Sequence, residues 1–86
     1  MDLDRIREKI DSIDEEILKL LARRFDLCGE ISDYKNNNNL NVKDPDREKS
    51  IIEKRTKRFS SLGFDDKKFV KEFFELVMKK SRELQR

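Results

Sequence analysis

An all-α fold is what this sequence predicts, and three observations carry the prediction. Punctuating residues are scarce, with two glycines and one proline in 86 positions, and the stretches between them are mostly Glu, Lys, Arg, Leu and Ile, which favour or tolerate helix. Apolar residues recur every three or four positions, the period of a helix face and not that of a strand. Leu, Ile, Val and Phe fill 25 of the 86 positions, above the roughly 20% below which a highly charged chain stays disordered. The length suits one domain over residues 1–86 with a core that is only marginally self-sufficient.

The first helix is read from Leu3, Ile6, Ile10, Ile13, Ile17 and Leu20, continued by Leu27, Ile31 and Tyr34. The gap in this stripe falls at Arg24. The run Asn36-Asn37-Asn38-Asn39 favours turn over helix interior, so the helix should end near Lys35 and a loop should follow to about Lys43. Asp44 then serves as N-cap, with Pro45 at the first helical position. The second helix is expected from about Pro45 to Arg58, burying Ile51 and Ile52. Ser60, Ser61 and Gly63 make the next break, and Asp65 is placed to cap a third helix whose apolar face is Phe69, Val70, Phe73, Val77 and Leu84. The expected order of helices is long, short, medium.

A helix from Leu3 to Lys35 would be about 50 Å long, whereas a compact chain of this length has a radius of gyration near 12 Å. The long helix therefore overhangs its own domain, and the apolar stripe on the overhang needs a cover. A second copy of the same chain is the simplest one, which predicts an obligate homodimeric helical bundle.

Composition excludes several function classes. There is no histidine and one cysteine, Cys28, so the chain holds no Ser-His or Cys-His pair, no His/Cys zinc cluster and no internal disulfide. Cys28 borders the apolar seam and reads as a small buried thiol. A net charge of +2 gives no strong field for nucleic acid or an anionic membrane. The basic run Lys54, Arg55, Lys57 and Arg58 has only Phe59 as a stacking partner and reads as a solvated face, so no nucleic-acid partner is expected. No apolar run approaches a spanning helix, and the charged start lacks the apolar segment of a signal peptide. A cytoplasmic protein without a membrane partner is the expectation, and the start at Met1 points to a stand-alone chain.

Candidate site residues come from cations in unusual places. Arg24 sits in the seam between Leu20, Leu27 and Cys28, where it needs an anionic or strongly accepting partner, an internal ion pair, or a route out to water. Lys35 lies eleven residues on and on the same side, about 16 Å away at the backbone, so two long cations can converge on one small anion. Arg7 lies about 25 Å before Arg24 along the helix. It reads as a surface charge unless an antiparallel dimer brings it beside Arg24 of its partner. Arg47 and Glu48 lie one turn before Ile51 and Ile52 and border the buried face, while Asp44 acts at least in part as a cap. Ser81 and Gln85 continue the apolar face of the third helix with polar groups, or else belong to a fraying polar end.

The order of these features resembles the all-helical type of chorismate mutase. The shared pattern is a long helix with Arg7 near its start, Leu20-Leu21-Ala22-Arg23-Arg24 in its middle and Lys35 near its end, then Asp44-Pro45-Asp46-Arg47-Glu48, then Ser81 and Gln85. Ile10-Asp11-Ser12-Ile13-Asp14 adds to the likeness, which covers nearly the whole chain. Arg7, Arg24, Lys35, Asp44, Arg47, Glu48, Ser81 and Gln85 match the family's functional positions without a departure. The resemblance implies an intertwined three-helix homodimer whose sites are each completed by Arg7 of the other chain. It also implies conversion of chorismate to prephenate, a one-substrate pericyclic rearrangement with no nucleophile, metal or cofactor.

By that resemblance Arg24, Lys35, Glu48 and Gln85 act on the reaction, whereas Arg7, Asp44, Arg47 and Ser81 bind the substrate. Two alternatives stand beside it. One is an isochorismate-pyruvate lyase of the same fold, and the other is a helical dimerisation module with no catalysis.

Overall fold

A computed structural model describes residues 2–37 and 45–84, with all of their side chains except those of Ser32 and residues 35–37. Asp2 begins the first helix. Its Oδ1 accepts the backbone amide of Arg5 at 2.9 Å, so it caps α1 (Leu3–Asn37) at an otherwise unsatisfied donor. The helix takes in Asn36 and Asn37, expected in the loop, and the rest of that expected loop, to Lys43, lies outside the described residues.

α2 (Pro45–Ser61) is longer than the sequence suggests. Ser60 and Ser61, expected in the break, complete the last turn, and the Ser61 hydroxyl donates to the Arg58 carbonyl at 2.6 Å. The chain turns at Gly63, whose φ of 103° lies in the left-handed region that glycine enters without penalty. The amide of Phe64 reaches the carbonyl of Phe59 and that of Gly63 reaches Ser60, at 3.1 and 3.0 Å. These two bonds form a Schellman motif. The hydrophobic contact that accompanies such motifs is a ring stack, Phe59 on Phe64 with centroids 5.2 Å apart.

α3 (Lys67–Leu84) is capped by Asp66 and not by Asp65. The amide of Phe69 donates to Asp66 Oδ1 at 3.0 Å, the three-residue spacing that an N-cap requires. The stack of Phe64 on Phe59 ends the turn at Phe64, and α3 starts in the register that buries Val70. The expected short and medium helices are nearly equal, at 17 and 18 residues.

α3 packs against both α1 and α2, and α1 and α2 do not approach each other through their described residues. The core is small: Cys28, Ile51, Val70, Val77 and Met78, together with the polar Ser81. Ile52 and Phe73 are half-buried, but Phe69 and Leu84, expected on the inner face of α3, are 51% and 42% exposed. Met78 takes the inner position that the apolar pattern overlooked.

The molecule measures 55 × 24 × 16 Å, with a radius of gyration of 16.1 Å, well above the roughly 12 Å of a compact chain this long. Its length is that of α1. Among the described residues no helix covers the first half of α1, and Leu3, Ile13 and Leu20 are each more than half exposed. No helix among the described residues is long and apolar enough to cross a membrane.

Candidate active site

A buried hydroxyl must find partners, and Ser81, only 5% exposed, finds two. It donates to the carbonyl of Val77 one turn back at 2.8 Å and accepts from Nη1 of Arg24 at 2.7 Å. The same Nη1 lies 4.0 Å from the Cys28 sulfur. Because the Ser81 proton is committed to Val77, its lone pairs face Arg24 and hold the guanidinium in place. Ser81 is thus part of the core and not of a fraying end.

Arg24 is half-buried, and among the described residues no carboxylate lies within ion-pair distance of it. Among the described residues its polar contact is the Ser81 hydroxyl, and neither an ion pair nor full exposure to solvent is seen there. Guanidinium offers five N–H donors, so a fixed, partly desolvated cation with no counter-ion among the described residues is suited to taking an anionic ligand.

One residue further along α3, Arg82 pairs with Glu48 of α2. Both side chains are roughly two-thirds or more shielded, at 31% and 25% exposure for Arg82 and Glu48. Ser81 and Arg82 therefore join α1 to α2 through polar contacts, in the order Arg24, Ser81, Arg82, Glu48. The sequence reading did not single out Arg82. Its signal was its place four residues after Met78, on the strip that borders the buried face.

The other expected site residues divide by location. Arg7 is exposed on the uncovered half of α1, about 25 Å along the helix from Arg24, so within one chain the two cannot share a small ligand. Arg47 is exposed in the first turn of α2. Lys35 lies within α1, which runs unbroken from Arg24 and so keeps their common helical side at the level of the backbone; its side chain is not described. Asp44 and Gln85 fall outside the described residues.

A cavity of about 260 Å³ lies between α2 and α3 among Phe59, Leu62, Phe69, Phe73 and Phe74, with Arg55 and Arg58 on its wall. It sits at the end of α3 opposite Ser81. Lys54, Arg55, Lys57 and Arg58 are exposed, as a solvated face should be.

Comparison with known proteins decides the family. The model of the family described as chorismate mutase type II matches residues 6–86. This chain belongs to that family. It is 34% identical to a chorismate mutase of Methanocaldococcus jannaschii over 84 residues, 98% of this chain and 84% of the relative. It is 37% identical to the T-protein of Enterobacter agglomerans over 62 residues, and 45% identical to a bifunctional chorismate mutase/prephenate dehydratase of Aquifex aeolicus over 53 residues. Those matches cover 72% and 62% of this chain but only 17% and 15% of the larger relatives. The all-helical architecture expected from sequence agrees with this membership.

Proposed function

We propose that this chain is a single-domain chorismate mutase of the cytoplasm, acting on the route to phenylalanine and tyrosine. The observation that carries the reading is Arg24, a half-buried guanidinium held by Ser81 and without a carboxylate partner among the described residues, in a chain of the type II family.

Chorismate has two carboxylates. Arg24 and Arg47, with Arg7 of a second copy, clamp them so that the enolpyruvyl arm folds over the ring, and Ser81 helps to seat a carboxylate. The ether C–O bond then breaks as a new C–C bond forms. Negative charge grows on the ether oxygen, where Lys35 and the Gln85 amide donate, favouring the transition state over the ground state. Glu48, with the backbone near Asp44, accepts from the ring hydroxyl. Removing one donor at the ether oxygen, by Lys35→Ala or Gln85→Ala, should lower kcat roughly a hundredfold with little change in folding stability. Equal damage to both would assign these residues to structure.

The uncovered apolar stripe of α1 supports an antiparallel homodimer, which would bring Arg7 of one copy beside Arg24 of the other. Two tests address the proposal. The purified protein should consume chorismate and form prephenate, followed by loss of chorismate absorbance, with no added metal or cofactor; an inert protein would overturn the activity. Mixing inactive Arg7→Ala and Arg24→Ala proteins should recover activity in heterodimers that rebuild one intact site. No recovery after demonstrated subunit exchange would overturn the shared site.

A further inference from the structure

Glu48 presents a physical difficulty for the reaction just described. A carboxylate placed to accept from a ring hydroxyl also brings negative charge close to a substrate that already carries two, and in a partly shielded site that repulsion is poorly screened. The ion pair with Arg82 removes the difficulty. Glu48 lies in the first turn of α2 and Arg82 in the last turn of α3, 34 residues apart in the chain. Arg82 Nη1 donates to Oε1 of Glu48, and an ionised carboxylate retains acceptor sites on its second oxygen.

We propose that Arg82 is a positioning residue for the rearrangement. It holds Glu48 by one oxygen, cancels its charge toward the dianionic substrate and leaves the other oxygen to accept from the substrate hydroxyl. This rests on the reading that the site takes chorismate. Arg82 does not touch the reacting bonds. The hydroxyl contact and the charge compensation persist from ground state to transition state, so the benefit is uniform binding, visible in KM and not in kcat.

The test is a set of steady-state measurements on the full-length protein. Arg82→Met keeps the length of the side chain and removes its charge; it should raise KM about tenfold, the effect of one charge-assisted hydrogen bond, with kcat within about twofold. Arg82→Lys keeps the cation without the planar fork and should recover most of that loss. In a Glu48→Gln background, Arg82→Met should raise KM no further, because there is no carboxylate left to neutralise.

A wild-type KM in Arg82→Met, whatever happens to its melting temperature, would overturn the proposal, since a structural clamp moves stability alone. So would an equal rise of KM in the Glu48→Gln background, or a fall in kcat at constant KM. If Arg82→Met does not fold, Arg82→Gln is judged by the same criteria. A wild-type protein that does not consume chorismate would instead sink the functional reading, whereas an active wild type with an indifferent Arg82 would sink only this inference.

Discussion

The two ends of α3 hold the molecule together by different means. Near its start the contacts are rings: Phe59 lies 5.8 Å from Phe69, Phe69 lies 6.1 Å from Phe73, and Phe73 meets Phe74 edge-on at 5.0 Å. Near its end the buried Val77 and Met78 are joined by polar contacts, Arg24 to Ser81 and Arg82 to Glu48. Aromatic burial is large and tolerant of geometry, so it stabilises without demanding exact placement. Polar contacts in a shielded place add little net stability, because desolvation offsets most of their gain. What they add is orientation. One helix thus stacks rings at one end and sets the polar contacts of the candidate site beside its buried core at the other, about 18 Å apart over the twelve residues from Phe69 to Ser81.

This separation can be broken from either side. The largest effect should come from Arg24→Ala, expected to reduce kcat/KM roughly a thousandfold, the upper range for a preorganised donor, while the urea midpoint moves little. A large fall in the midpoint would show that the polar end is also structural. Next, Phe59→Ala should cost about 2–3 kcal/mol, below the full range for a buried phenylalanine because the ring is half-buried. Its activity per folded molecule should be unchanged, as read from urea titration with activity normalised to the folded fraction. The smallest effect tests the start of α3: Asp66→Ala should cost about 1 kcal/mol as a lost N-cap, whereas Asp65→Ala should stay within about 0.5 kcal/mol. Reversed values would shift the helix start by one residue.

Much of the architecture was legible because it is local. The apolar spacing of α1, the proline at the start of α2 and the glycine after it act through neighbours within one or two turns. Arg24 stood out for the same reason, as a charge in an apolar stripe. The errors share a cause too. Asp65 and Asp66 are equivalent caps by residue type, and the choice between them depends on where the Phe59–Phe64 stack ends the preceding turn. Periodicity places Phe69 and Leu84 on the inner face of α3, but it cannot say how far the neighbouring helices extend to cover them. Met78 and Arg82 were passed over because the apolar strip was drawn too far to one side.

The chain alone specifies three helices and a cation set into a greasy stripe, since backbone hydrogen bonding and side-chain period are properties of adjacent residues. Which hydroxyl holds that cation and which guanidinium holds Glu48 depend on contacts between residues 57 and 34 positions apart. Those pairings exist only once α3 has settled between α1 and α2, because the position of a packed helix is fixed by the shapes it meets and leaves no mark in local spacing.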